Sequence, residues 1–229
     1  MLNKVVADVA AAVADIKDGA TLMVGGFGLS GHPIQLVEAV LRKGVKDLTI
    51  ISNNAGVQDI GLGGLIQHGR VRCLICSFPT GKGMTAVKEQ IKTGRLELKV
   101  IPQGTLVERI RAGGAGLGGI LTPTGVGTEL AAGRQILEVE GVLYVLEPAL
   151  RADFALIHAY QGDRWGNLCY RFAARNFNPV MAMAQAVTIA EVEQVLELGA
   201  LDPNHIHTPG VFVQRVVPVK LQSSSDRRN

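Results

Sequence analysis

The chain has 229 residues with a formal net charge of +3, and 47% of its residues are hydrophobic and 19% charged. This composition excludes intrinsic disorder, and lysine and arginine are too evenly spread to form the basic stripe of a nucleic-acid-binding protein. The sequence also lacks an apolar run long enough for a membrane span, a secretory h-region and enough cysteines for a disulfide framework, so we expect a cytoplasmic protein with no membrane partner.

In chain order, the hydrophobic pattern predicts alternating helices and strands in the first half of the chain. An amphipathic helix over 3–17 is followed by a strand over 21–24 and a glycine-rich turn over 25–31. The elements predicted next are a helix from 34 to 44, a strand over 48–51, a short helix ending near 68, a strand over 71–76, a helix over 84–93, a strand over 96–101 and a helix over 105–112. The strands are continuous apolar runs, which indicates an α/β fold with a mostly parallel sheet and helices on both faces.

The second half of the chain begins with a glycine-rich stretch over 113–128. It contains seven glycines and predicts a long loop instead of a regular element. Strands are predicted after it over 142–146, 154–158, 186–190 and 211–217. Since no linker or repeat divides the chain, we expect a single domain over 1–218 followed by a disordered tail over 219–229.

The glycine-rich turn after the first predicted strand fits the G-x-G-x-x-G pattern through Gly26, Gly28 and Gly31. That pattern between a strand and a helix is typical of a dinucleotide-binding site, which makes an NAD(P)-dependent dehydrogenase one hypothesis. Such a site also needs an acidic residue where the second strand ends, to bind the ribose hydroxyls. The sequence reads Ser-Asn-Asn over 52–54, which argues against a dinucleotide.

Residues 18–33 read Asp-Gly, a short apolar strand, Gly-Gly-Phe-Gly and then, after two residues, Gly-His-Pro. This stretch resembles the signature of the family I coenzyme A transferases at every position. Three further stretches are similar to the same family: 52–56, 102–116 and 174–178. The resemblance covers nearly the whole chain and is to the A (alpha) subunit of a 3-oxoacid CoA-transferase. The segments that favour the 3-oxoadipate type are 76–79, 162–168 and 212–217.

The resemblance implies a ping-pong reaction in which a glutamate attacks an acyl-CoA thioester and then carries CoA as a glutamyl thioester. In the family this glutamate lies in a Ser-Glu-Asn-Gly turn of the B half, and this sequence has no such turn. We therefore expect a partner B subunit that supplies the glutamate, succinyl-CoA as donor, and coenzyme A as a substrate with no other cofactor. The favoured acceptor is 3-oxoadipate and the next is acetoacetate. A non-enzymatic acyl-CoA or sugar-phosphate sensor is a further hypothesis.

Three polar residues are predicted to face the substrate. The resemblance implies that Gln103 is the oxyanion-hole glutamine, and a neutral amide at the end of a strand suits that role because it donates without neutralising a nearby carboxylate. The alternative for Gln103 is a capping residue at the start of the next helix. Asn53 and Asn54 either donate to a substrate carboxylate or form Asx-turns.

The glycine-rich turn is predicted to form one wall of the same site. Gly25, Gly26 and Gly28 let the backbone come close to a substrate, and Phe27 adds an apolar surface. Tight packing between strand and helix explains the same glycines, and the two roles are compatible.

The charged residues that could have a catalytic or binding role are expected to be structural instead. Glu147 is the best of the eleven glutamates as an internal nucleophile, yet nothing beside it in the sequence marks it as one. Glu191 and its neighbours follow ordinary surface periodicity. Arg109 and Arg111 could attract a dicarboxylate or the phosphates of CoA, but we interpret them as a solvated helix face.

Two short motifs resemble redox or metal sites in their spacing alone. Cys73 and Cys76 form a C-x-x-C pair, but the pair lies inside a predicted strand, which favours buried structural cysteines. His205 and His207 lie in a turn-rich loop with no adjoining ligand cluster in the sequence. We therefore predict no metal site.

Overall fold

The computed structural model describes residues 2–79 and 85–220, and its largest element is an eight-stranded sheet. The strands are β1 (Thr21–Val24), β2 (Leu48–Ser52), β3 (Val71–Cys76), β4 (Glu97–Val100), β8 (Ala152–Asp163), β9 (Leu168–Cys169), β10 (Gln185–Leu196) and β11 (Arg215–Pro218). Seven of them are parallel, in the order β11-β10-β8-β1-β2-β3-β4, and β9 pairs with β8 in the antiparallel direction.

A smaller antiparallel sheet and six α-helices complete the fold of the described residues. The sheet has the order β5-β7-β6, with β5 (Gly119–Thr122), β6 (Ile136–Val139) and β7 (Val142–Pro148). The helices are α1 (Val9–Ala12), α2 (Ile34–Lys43), α3 (Leu62–Gln67), α4 (Thr85–Lys92), α5 (Gln103–Gly114) and α6 (Asn178–Met183). Short 3-10 turns lie at Glu129–Ala131, Phe172–Arg175, Pro203–His205 and Gly210–Phe212.

The parallel sheet buries apolar side chains on both of its faces, because successive residues of a strand point in opposite directions. Leu22 packs with α2 and α3 in one hydrophobic cluster, which includes Leu65. The next residue, Met23, packs with α5 and α6 in the other cluster, which includes Ile110. The predicted α/β fold is therefore confirmed. In the described part of the chain, no helix combines the length and hydrophobicity that crossing a bilayer requires.

The predicted helix over 3–17 is wrong in extent, because α1 is a single turn capped by Asp8, whose carboxylate accepts from Ala11 N. The residues before it continue the sheet instead. Val5 forms a parallel bridge with Val216, and Val6 N donates to the carbonyl of Val216. Local periodicity cannot reveal a backbone partner more than 200 residues away, so the apolar pattern alone predicts too long a helix.

The predicted loop over 113–128 is also wrong in part. Gly113 and Gly114 belong to α5, and β5 follows after four residues. A Cβ atom on Gly113 would lie 2.0 Å from the carbonyl oxygen of Leu150, and one on Gly114 would lie 2.8 Å from Cβ of Met183. These glycines therefore serve close packing of α5 instead of chain mobility.

The later predicted strands are present but differ in extent. The strands predicted over 154–158 and 186–190 lie within β8 and β10, which have 12 residues each, whereas the stretch 211–217 begins as a 3-10 turn. Of the tail predicted over 219–229, residues 221–229 lie outside the described part of the chain. Val219 is buried and donates its N–H to the carbonyl of Val192. The division into one domain over 1–218 stays a prediction.

Candidate active site

Three loops at the carboxyl edge of the parallel sheet enclose a cavity of about 450 Å³. The loops follow the neighbouring strands β1, β2 and β3, and the start of α5 closes the same side, which is where open α/β sheets bind ligands. The lining residues are Phe27, Gly28, Asn53, Asn54, Gly56, Val57, Ser77, Phe78 and Gln103. The structure thus brings together five of the seven predicted site residues, and Gly25 and Gly26 lie outside the lining.

Gln103 is the first residue of α5 and extends its exposed side chain towards the end of β2. Its Nε2 donates to Oδ1 of Asn53 at 2.7 Å. Pro102 occupies the capping position and α5 has no side-chain capping bond, so the capping interpretation of Gln103 is wrong. Because an amide nitrogen carries two hydrogens, one N–H holds the side chain in place and the other is available to a ligand.

Asn53 is the acceptor that orients Gln103, and it is itself held from β3. Its backbone carbonyl accepts from Ser77 N and Phe78 N, at 3.1 and 3.0 Å. The Ser77 hydroxyl lies 2.9 Å from both the carbonyl oxygen and Oδ1 of Asn53. This chain of neutral hydrogen bonds fixes the amide of Gln103 without placing a charge beside it.

Asn54 forms an Asx-turn, one of the two interpretations for this residue, because its Oδ1 accepts from Gly56 N at 2.8 Å. The turn shapes the cavity wall that continues through Val57. Contact between either asparagine and a substrate stays a prediction.

The glycine loop, residues 25–31, is packed tightly from behind. A Cβ atom on Gly25 would lie 1.9 Å from Oδ1 of Asn178, and one on Gly26 would lie 2.9 Å from Cα of His32. Gly26 also has a φ of +107°. These two glycines serve packing, while Phe27, whose side chain is 54% exposed, and Gly28 reach the cavity.

Among the described residues that line the cavity there is neither a charged side chain nor a glutamate. Glu147 lies in β7, is buried, and forms ion pairs with Arg109, at 3.1 Å, and with Arg134. A carboxylate held by two guanidinium groups is a structural anchor and a poor nucleophile. Arg109 is therefore not the solvated residue that was expected, whereas Arg111 is exposed and pairs with Glu108.

Two buried histidines lie behind the cavity, and neither is indicated by the sequence pattern. His158 in β8 lies 3.2 Å from Glu191 and 3.1 Å from Glu193. Burial opposes protonation of His158, but the two carboxylates outweigh burial and raise its pKa. Glu191, expected at the surface, is buried, and its other oxygen accepts from Leu36 N in the first turn of α2.

The second histidine, His32, lies between two of the cavity loops. Its Nδ1 is 3.2 Å from the carbonyl oxygen of Gly25, and its Nε2 accepts from Leu62 N at 3.3 Å. Burial, with a smaller effect of the nearby His158, lowers the pKa of His32 to about 4. His32 is therefore neutral at neutral pH.

We expect His32 to make the protein sensitive to acid. The unfolded chain binds a proton at this residue near pH 6.5 and the folded chain only near pH 4, so the free energy of unfolding falls as the pH decreases between these values. From pH 7 to pH 5 this loss amounts to about 2 kcal/mol. Urea unfolding at both pH values measures it. Between pH 7 and pH 5, the free energy of unfolding of His32→Gln should fall by about 2 kcal/mol less than that of the wild type. An equal fall in both proteins would contradict the prediction.

The two cysteines and the two histidines of the short sequence motifs are held by structural burial or contacts. Cys73 and Cys76 are free and buried, and burial raises the pKa of Cys76 to about 12, so it is an inert thiol. His205 pairs with Asp202 at 3.1 Å, and Nδ1 of His207 accepts from the N–H of Tyr170 at 2.9 Å. Among residues 2–79 and 85–220, no group of three or more histidine, cysteine or acidic residues could hold a metal ion.

A family model described as coenzyme A transferase matches residues 6–218. The chain belongs to the coenzyme A transferase family. It is 54% identical to the A subunit of the 3-oxoadipate CoA-transferase of Pseudomonas putida, over 98% of this chain and 97% of that protein. It is 46% identical to the A subunit of the succinyl-CoA:3-ketoacid coenzyme A transferase of Helicobacter pylori, over 94% of this chain and 92% of that protein. The predicted transferase function is confirmed, and these relatives do not support a dehydrogenase or a sensor.

The fold of this CoA-transferase chain matches the apoenzyme of acyl-CoA transferase (YdiF) from Escherichia coli O157:H7 with a TM-score of 0.83 and 23% sequence identity. The match covers 95% of this chain and 47% of that one, so the chain spans about half the length of that enzyme. This likeness supports the fold class alone.

The packing of the CoA-transferase glycine loop leads to a prediction for Gly26→Val. The substitution forces a β-branched residue into a positive-φ conformation and brings its Cβ against the backbone of His32. We expect the loop to move, the free energy of unfolding to fall by about 1–3 kcal/mol and CoA transfer to fall roughly 10- to 100-fold, as measured by urea unfolding and steady-state kinetics.

Gly44→Val is the matched control for Gly26→Val. Gly44 also has a positive φ, of +84°, but it ends α2 and has open space around its Cβ position. It should lose comparable stability without losing transfer activity. Unchanged transfer in Gly26→Val would show that the conformation of the glycine loop does not matter to the reaction.

Proposed function

We propose that the chain is the A subunit of a heteromeric 3-oxoacid CoA-transferase that moves CoA from succinyl-CoA to 3-oxoadipate, with acetoacetate as the next candidate acceptor. The relatives from Pseudomonas putida and Acinetobacter baylyi, at 54% and 52% identity, are named for 3-oxoadipate, which supports this order. The observation that carries the proposal is a cavity with a firmly held amide donor and no carboxylate among its described lining residues.

Gln103 stabilises the oxyanion that forms when the thioester carbonyl is attacked. Its Nε2 is anchored on Asn53 through one hydrogen, and the second hydrogen donates to the carbonyl oxygen as that oxygen gains negative charge. The donor is pre-oriented by the Ser77–Asn53 contact, so little reorganisation is needed during the reaction. A neutral amide also leaves the basicity of an attacking carboxylate unchanged.

The nucleophile comes from a B subunit. Its glutamate attacks the acyl-CoA to form an acyl-glutamyl anhydride and release CoA thiolate, which then returns to form the glutamyl-CoA thioester while the first acid leaves. The second acid takes up CoA by the reverse steps. Phe27 and Phe78 stand 54% and 59% exposed at the cavity, as expected for apolar side chains that substrate and partner cover in the complete enzyme.

Coenzyme A is a substrate in this scheme, and no further cofactor takes part. The described lining is uncharged, which suits the thioester and 3-oxo groups of the substrates. The free, buried thiols of Cys73, Cys76 and Cys169 agree with a reducing cytoplasm.

The proposal is tested by co-purifying the chain with its B-type partner and measuring CoA transfer from succinyl-CoA. We expect transfer to 3-oxoadipate with a higher kcat/KM than transfer to acetoacetate. A complex that transfers CoA to acetoacetate alone would contradict the choice of acid, and a complex that transfers CoA to no carboxylate would contradict the function.

A further inference from the structure

The two facing walls of the cavity come from separate segments of the chain. The first wall is the glycine loop, which contributes Phe27 and Gly28. The second wall is the segment 54–62, which ends at the first residue of α3, and it contributes Asn54, Gly56 and Val57. The width of the cavity therefore depends on how these two segments are held relative to each other.

His32 connects the two walls through both nitrogens of its ring. Leu62 N, at the start of α3, can only donate, so Nε2 of His32 is the acceptor in that 3.3 Å contact. The ring proton then resides on Nδ1 and is donated to the carbonyl oxygen of Gly25, 3.2 Å away. A single neutral tautomer satisfies both hydrogen bonds, one to each wall.

Glycines on both walls allow the ring to fit between them. A Cβ atom on Gly26 would lie 2.9 Å from Cα of His32, and one on Gly61 would lie 2.4 Å from its Nε2. Both glycines have a positive φ, of +107° and +53°. His32 is 6% exposed and is not a lining residue, so it acts on the cavity through its neighbours.

We propose that His32 is a positioning residue that sets the separation of the two walls and thereby the affinity of the transferase for its acyl-CoA and 3-oxoacid substrates. The inference rests on the proposed function, because it concerns the cavity to which that function assigns the substrates. Gln103 and Asn53 are anchored from Ser77 and do not contact His32, so the oxyanion donor stays in place when His32 is replaced.

Kinetics of the complex with the B subunit provide the first test, using three variants. Asn places its amide near the position of Nδ1 and keeps the bond to Gly25, Gln places its amide near Nε2 and keeps the bond to Leu62, and Leu keeps neither. For His32→Leu we expect KM to rise roughly tenfold with kcat within about threefold, and for His32→Asn and His32→Gln a smaller rise.

His68→Asn is the matched control. His68 follows α3 at its other end, and its Nδ1 lies 2.9 Å from the carbonyl oxygen of Gly64, away from the cavity. It should leave KM unchanged. If His32→Leu lowers the melting temperature but keeps the wild-type KM, His32 has a structural role alone and the proposal is wrong.

Amide hydrogen exchange of the full chain tests the connection without any activity. The Leu62 amide should exchange faster in His32→Leu and His32→Asn and should stay protected in His32→Gln. The amides of Phe27 and Ser30, each of which donates to the other's carbonyl oxygen, report on the glycine loop. We expect faster exchange on both walls in His32→Leu. Unchanged amide exchange on either wall would overturn the proposal for His32. A wild-type complex without CoA transfer would instead contradict the proposed function, and the amide-exchange measurement would remain a valid test of His32.

Discussion

Replacement of Gln103 by leucine is expected to lower kcat of the reconstituted transferase by about 10²- to 10³-fold, because one oxyanion-hole donor contributes roughly 3–4 kcal/mol to transition-state stabilisation. The side chain is exposed at the start of α5, so its loss removes one hydrogen bond, to Asn53, and little packing. KM should change much less than kcat, since the donor acts mainly on charge that develops in the transition state. Steady-state kinetics with succinyl-CoA as donor measure both constants.

The control for this variant is Gln67→Leu. Gln67 is also an exposed glutamine, at the end of α3, and it does not line the cavity. It should keep wild-type kinetics. If Gln103→Leu retains kcat within about threefold of the wild type, the amide is not the oxyanion donor and its hydrogen bond to Asn53 is merely structural.

We expect the isolated chain, without its B-type partner, to show no CoA transfer above the uncatalysed rate, and addition of that partner to raise the rate by at least about 10⁶-fold. The described lining of the cavity holds no carboxylate, and Glu147, the internal candidate, forms ion pairs with Arg109 and Arg134. Ser77 brings a hydroxyl to the described lining, and this hydroxyl lies within hydrogen-bond distance of two Asn53 oxygens. Separate purification and recombination of the two polypeptides measures the effect.

A complex in which the partner's catalytic glutamate is replaced by alanine provides the control, since it restores the assembly without the nucleophile. It should be as inactive as the isolated chain. Transfer by the isolated chain, at a rate that survives repeated purification, would contradict the division of the site between two polypeptides.

Local sequence signals were sufficient to predict the strands at the centre of the parallel sheet. The bounds of β1 and β3 agree with the predicted 21–24 and 71–76, because buried parallel strands are short apolar runs bounded by turn residues. The same argument placed Asn53 and the glycine loop at one edge, where the cavity lies. Gln103 was placed at this edge because it follows a predicted strand, and its role as the oxyanion donor was assigned on the resemblance to known transferases.

The remaining features depend on contacts between distant parts of the chain. The ion pairs of Glu147 join β7 to α5 and to Arg134, and nothing within a few residues of Glu147 indicates burial. Of the small antiparallel sheet, the hydrophobic pattern predicted only the strand over 142–146, because β6 has four residues and is mostly exposed. His32 lies between Gly31 and Pro33, where sequence alone gives no reason to expect a buried ring between two loops.

The hydrogen bond that holds Gln103 also bears on how the choice of acid could change within this family. Under the proposed function, the anchored amide of Gln103 acts on the thioester carbonyl, a group that every acyl-CoA has in common. We therefore expect this hydrogen bond to be kept when the preferred acid changes, and the substitutions that change the preference to lie elsewhere in the site.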